Sequence, residues 1–116
     1  MINIRILYWK EIPVQVEFTF EKIKKSVQLD EKFQIAVDSV AMKDGSYGSD
    51  AYLDSWEWVN KEEVDEVLND NFINNYVSKF KFPKNFIKKI SNDIDNNTRS
   101  GLPGSLDEWI MIKWVF

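Results

Sequence analysis

Asp50 and Asp54 stand four residues apart, one helical turn, with Glu57 close behind. Carboxylates so spaced can divide the roles of proton donor and proton acceptor. The commoner role of such acids is a solvated face near a helix N-terminus, where negative charge is favourable, and that reading is adopted here. Just upstream, Gly48 and Ser49 open a helix whose free amides would suit an anion. Asp50 sets a negative charge on the same spot, which leaves a glycine turn and an ordinary cap. The chain has no histidine and no cysteine. The commonest general base, the commonest metal ligand and all thiolate chemistry are therefore missing. No phosphate-cradling loop or dinucleotide fingerprint occurs. Asp93, Asp95 and Asn97 alternate like the start of a calcium loop, but Thr98 stands where glycine is needed and Gly104 where the closing glutamate belongs. No catalytic residue, metal or cofactor is expected, and the chain is read as leaning away from an enzyme.

What the chain has in surplus is aromatic surface, with eight Phe and five Trp in 116 residues. Tyr8, Trp9, Tyr52, Trp56 and Trp58 can build either a packed core or a partner-facing patch, since aromatic residues are enriched in interface centres. Trp9 and Trp58 lie off the main apolar faces of their segments and are expected at the surface. The candidate binding residues are Tyr8, Trp9, Tyr47, Gly48, Ser49, Asp50, Tyr52, Trp56 and Trp58. The leading expectation is a non-catalytic protein-binding or accessory module with a protein partner. An alternative is a small enzyme or ligand-binding site near Tyr8, Tyr47, Asp50 and Tyr52. A second alternative is weak nucleic-acid binding through Lys79, Lys81, Lys84, Lys88 and Lys89, with Phe80, Phe82 and Phe86 interleaved. The acids Glu62, Glu63, Asp65, Glu66 and Asp70 just before that run favour solvated, mutually complementary faces, and the net charge of −4 argues against a general nucleic-acid binder.

The length fits one domain, residues 1–116, able to bury roughly 65% of its unfolded surface. No apolar run approaches the ~20 residues of a membrane span, and no leader pattern is seen at the N-terminus. The expectation is a soluble cytoplasmic protein with no membrane contact.

The elements follow from periodicity. Ile2, Ile4, Ile6 and Tyr8 alternate as a strand over Ile2 to Lys10. Val14, Val16, Phe18 and Phe20 give a second strand, with Pro13 at its edge. Ile23, Lys25, Val27 and Leu29 give a weaker third. Short connections favour an antiparallel meander. The period changes at Asp30, a cap for a helix whose stripe is Phe33, Ala36, Val37, Val40 and Ala41, stopped at Asp44-Gly45. Ala51, Tyr52, Ser55, Trp56 and Val59 share a second helical face. Asn60 and Glu63 resemble a capping box and predict a helix over Lys61 to Lys79 along Val64, Val67, Leu68, Phe72, Tyr76, Val77 and Phe80. Pro83 starts another helix, with Phe86, Ile87, Ile90 and Ile94 on its apolar side. Ser91 to Gly104 reads as a loop. Trp109 to Phe116 reads as a buried final strand, with a helix possible. Gly45-Ser-Tyr-Gly-Ser49 is echoed weakly by Gly101-Leu-Pro-Gly-Ser105.

Three segments carry a family likeness: Tyr8-Trp-Lys-Glu-Ile-Pro-Val-Gln-Val16, the helix Leu29 to Met42, and Gly48-Ser-Asp-Ala-Tyr-Leu-Asp-Ser-Trp56. Together they resemble the small bacterial virulence factor domain, also found in the conserved virulence factor C type of protein. The likeness covers about residues 4–59, and the chain departs from the family's usual glycine loop at Ser46-Tyr47. It implies a prokaryotic intracellular protein and carries over no active site. The fold expected is α+β: a three-stranded antiparallel meander with helices on one face and a C-terminal strand added to the sheet.

Overall fold

The computed structural model describes residues 1–111. Three strands open the chain: β1 (Ile2–Trp9), β2 (Ile12–Phe20) and β3 (Ile23–Gln28). The tight turns between them begin at Lys10 and Glu21, both with positive φ (51° and 53°). Helix α1 (Glu31–Asp44) follows, then a short α2 (Asp50–Asp54), β4 (Trp56–Val64), α3 (Asp70–Val77), α4 (Phe86–Asp95) and α5 (Asp107–Ile110). The sheet has the order β3-β2-β1-β4, and every pairing is antiparallel. The protein is thus α+β, a meander with a fourth strand laid against its first.

Register decides which face is buried. Ile2, Ile4 and Ile6 stand opposite Phe20, Phe18 and Val16 on β2, and Ile2 and Ile6 stand opposite Val64 and Val59 on β4. This face takes the helices. Phe18 meets Phe72 and Tyr76 of α3 edge-on at 6.0 and 5.6 Å, and Phe33 of α1 meets Phe82 and Phe86 at 5.1 and 5.9 Å. Aromatic side chains bury the most area per residue, which a chain of this size needs. On the opposite face Arg5 pairs with Glu17 and stacks 4.5 Å over Trp58. The Arg5 hydrogen bond, partly offset by burial, holds the Glu17 carboxyl below its usual range.

Two bulges shape the sheet. One lies between Leu7 and Tyr8, where Tyr8 faces Pro13. A proline has no ladder donor and fits such an irregularity. There Val14 accepts a hydrogen bond from the Leu29 amide (2.9 Å) instead. The second, between Ile4 and Arg5, leaves Lys61 of β4 without a counterpart on β1. Asp30 caps α1 through the Lys32 amide and Gly45 ends it in the left-handed region (φ 86°), as its sequence requires.

Four expectations are corrected. The predicted helix over Lys61 to Lys79 is a strand to Val64, and only Asp70–Val77 is helical. Asn60 is no cap but a mid-strand residue facing Arg5, and the working cap is Asn69, whose side chain accepts from the Phe72 amide at 2.9 Å. The open edge of β1 offers a full row of backbone partners, and satisfying them outweighs the weak local helical preference of this acidic stretch. For the same reason Trp56 and Val59 leave the second helix, which stops at Asp54. Among the described residues the fourth strand of the sheet is therefore β4. Trp109 and Ile110 lie in α5, Met111 makes one bridge to Phe80, and the rest of the expected final strand lies outside the described residues. Finally, α4 extends through Asp95 into the stretch read as loop. No helix among the described residues is long and apolar enough to cross a membrane.

Candidate functional site

The turn between β1 and β2 puts Trp9, Lys10 and Glu11 at one end of the sheet, and four further parts of the chain converge on it. Trp9 is fully buried (0% exposed), not a surface residue as its position off the strand's apolar face predicts. Its indole N–H donates to the Tyr52 carbonyl at 2.9 Å, so α2 is laid over it. Beside it, Glu11 is only 2% exposed. Arg99, from the loop after α4, grips both Glu11 oxygens (2.7 and 2.6 Å) and also reaches Asp44 at the end of α1 (2.8 Å). Lys10 binds the same Asp44 oxygen at 2.7 Å, and Ser46 donates to the other from its amide at 2.8 Å. Burial pushes the Asp44 carboxyl up, but the hydrogen bonds from Lys10, Ser46 and Arg99 prevail and hold it well below the usual carboxylate range.

A second polar cluster lies on the helix-covered side. Tyr8 donates to Asp107 at 2.7 Å, and the bulged Lys61 binds the same oxygen at 2.5 Å. Tyr76 donates to Glu62 at 2.8 Å. Burial, and then these carboxylates, push both phenols far above the ordinary tyrosine value. Groups locked in this way are poor acids and bases near neutrality.

The candidate residues divide accordingly. Tyr47, Tyr52 and Trp56 form a run of edge-to-face rings at 5.7 and 6.4 Å, with Trp9 beneath. Gly48, Ser49 and Asp50 lie in the turn and first residue of α2 beside them, although the Ser49 hydroxyl donates to the Ser46 carbonyl rather than capping the helix. Tyr8 and Trp58 are not part of this group. Tyr8 serves Asp107, and Trp58 lies under Arg5 on the open sheet face. The Tyr52 hydroxyl donates to Asp38 at 2.9 Å, so the phenols of Tyr8 and Tyr52 serve separate networks.

Next to Trp56 runs a groove of about 390 Å³, walled by Asp54, Ser55 and Glu57 on one side and by Gly101, Leu102 and Pro103 on the other. Leu102 (66% exposed) lines it, and Leu53 (69%) and Tyr47 (56%) are exposed on the segment just before Asp54. The two glycine stretches that echo each other in sequence make the same turn. The Ser49 amide bonds the Ser46 carbonyl and the Ser105 amide bonds the Leu102 carbonyl, with Gly48 (φ 80°) and Gly104 (φ 86°) at the third position. That position needs positive φ, which favours glycine.

Asp93 and Asp95, at the imperfect calcium pattern, pair with Lys89 and Lys43. Among the described residues no group of His, Cys, Asp or Glu is placed to hold a metal ion. In the lysine run, Lys89 is tied to Asp93 and Lys79 sits over the Tyr76 ring. Sequence reasoning missed Glu11, Asp44, Arg99, Lys61 and Asp107. One signal was there for Arg99: it is one of two arginines in the chain, set in a neutral stretch of Asn, Thr and Ser.

A family model described as virulence factor matches residues 7–81. The chain belongs to the virulence factor family. The match runs well past the likeness read from the first half, from the end of β1 through β4 and α3. Trp9, Lys10, Glu11, Asp44, the ring series and the Asp54–Glu57 wall of the groove fall inside the virulence factor region; Arg99 and the Leu102 wall lie beyond it. No curated protein and no solved structure matches the chain.

Proposed function

We propose that this virulence factor family member is a non-catalytic protein-binding module, acting in the cytoplasm through the surface built by Tyr47, Leu53, Trp56 and Leu102. One observation carries the reading. The exposed Leu102 and the Trp56 side chain line the same groove, and the exposed Tyr47 and Leu53 lie on the segment that leads to its Asp54–Glu57 lining, whereas Lys61 is paired with Asp107 and Arg99 with Glu11 and Asp44. Apolar and aromatic side chains that exclude water at the centre of a patch supply most of the energy of protein association. Phenols held far above the ordinary tyrosine value supply little general acid or base near neutrality. A chain free of cysteine also folds without an oxidising environment, which suits the cytoplasm.

The experiment compares capture by the wild-type chain with capture by Leu53→Ser/Leu102→Ser in the native cell extract. Both positions are exposed, so the variant keeps the fold. A partner retained by the wild type and lost by the variant supports the reading. A monomer that retains nothing, or retains the same proteins with both chains, removes it.

A further inference from the structure

The charges around the groove say more about its occupant. Asp50, Asp54 and Glu57 are all exposed, and no described residue forms a hydrogen bond or ion pair with any of their side chains. Two of them, Asp54 and Glu57, form one wall of the groove. The one cation there, Lys10, is turned away to Asp44 and Ser46 (2.7 and 3.2 Å). The opposite wall, Gly101, Leu102 and Pro103, carries no charge. The lining therefore combines unpaired carboxylates from the α2–β4 segment, aliphatic surface from residues 101–103 and the Trp56 side chain. At about 390 Å³ it lies at the low end of volumes that hold a ligand, which suits single side chains of a peptide rather than a folded domain.

We infer that the groove takes a peptide segment of a partner protein in which a lysine or arginine neighbours an aliphatic or aromatic anchor. The anchor packs between Leu102 and Trp56, and the cation meets Asp54 and Glu57. This rests on the protein-binding reading above and names the partner's chemistry. Charge complementarity does the selecting. An acidic peptide would bring like charges together, whereas a basic one neutralises a wall that nothing in the described chain neutralises. The aliphatic stem of a lysine or arginine can also lie along the apolar wall while its charge reaches the acids.

The test pans a phage-displayed library of random dodecamer peptides on the full chain, on Asp54→Asn/Glu57→Gln and on Leu102→Ser. The wild type is expected to enrich peptides with Lys or Arg beside Leu, Ile, Phe or Trp. Asp54→Asn/Glu57→Gln should lose the basic preference and keep the apolar one. For a synthetic peptide from the wild-type pool, that substitution weakens binding about three- to tenfold at low salt. Raising ionic strength from about 0.05 to about 0.5 M weakens wild-type binding similarly. Enrichment of neutral or acidic apolar peptides, abolished by Leu102→Ser, overturns this inference and leaves the protein-binding reading standing. A pool unchanged by Leu102→Ser, or no enrichment at all, overturns both. Concentration-dependent dimers of the wild type, abolished by Leu102→Ser, would make a second copy the occupant and also overturn it.

Discussion

Arg99 and Glu11 are 88 residues apart in sequence and joined by two parallel hydrogen bonds, Nε to Oε2 at 2.7 Å and Nη2 to Oε1 at 2.6 Å. Both side chains are largely withdrawn from water, 13% and 3% exposed. A bidentate guanidinium–carboxylate pair is among the strongest charged contacts a protein makes, and this one fastens the loop after α4 to the first hairpin. Asp44 accepts a third bond from the same guanidinium.

Removing the cation should cost far more than a surface ion pair. Arg99→Leu leaves Glu11 buried without a partner, and about 3–5 kcal/mol of stability is expected to go. Arg99→Lys should recover only part, because an ammonium cannot make the two-pronged contact. Glu11→Leu combined with Arg99→Leu should be less damaging than Arg99→Leu alone. Urea midpoints of the three variants decide it; equal midpoints for wild type and Arg99→Leu would contradict the clamp.

Acid should loosen both this cluster and the Arg5–Glu17 pair on the open face of the sheet. The Asp44 and Glu17 carboxyls are held below their unfolded values of about 4. Between the folded and unfolded values the unfolded chain binds more protons, so stability is complete above about pH 4 and falls as pH drops further. Asp44→Asn should be less stable near neutrality and should show a shallower acid loss. Denaturation midpoints between about pH 7 and pH 3 measure both slopes.

At the other end of the scale the sign reverses. Tyr8 and Tyr76 are held neutral by burial and by Asp107 and Glu62, while unfolded tyrosine ionises near about pH 10. Stability is therefore complete below about pH 10 and declines as pH rises above it. Ultraviolet titration should show Tyr8 and Tyr76 ionising only together with the unfolding transition. Tyrosinate absorbance from all four while the far-ultraviolet signal is still native would refute the two networks.

The two tryptophans expected together at the surface should part company on truncation. Trp9 is wholly buried and its N–H is bonded to Tyr52, so Trp9→Ala should cost about 3–5 kcal/mol. Trp58 is partly exposed beneath Arg5, and Trp58→Ala should cost about 1 kcal/mol. Comparable losses in thermal or urea unfolding would overturn the placement of both rings.

The candidate site was only partly legible in the sequence. Tyr47, Tyr52 and Trp56 follow one another closely around the glycine turn, and their rings meet in the fold. Leu102 and Pro103, the facing wall, were not legible, since nothing local links residue 102 to residue 56.

What the amino-acid sequence alone determined is what short-range physics controls. The strict alternation of Val14, Val16, Phe18 and Phe20 commits them to one face of a strand, and the spacing of Phe33, Ala36, Val37 and Val40 after Asp30 commits them to one face of a capped helix. The family likeness was legible for the same reason, as it lay in contiguous segments. Only the tertiary structure decided Trp56–Val64, where an acidic stretch with helical spacing became a strand because the edge of β1 needed backbone partners. It also decided that Trp9 is core, once α2 folded across it, and that Lys61, freed by a bulge, turns to Asp107. Each of these depends on a contact between residues more than forty positions apart, and no local pattern encodes the free energy of such a meeting.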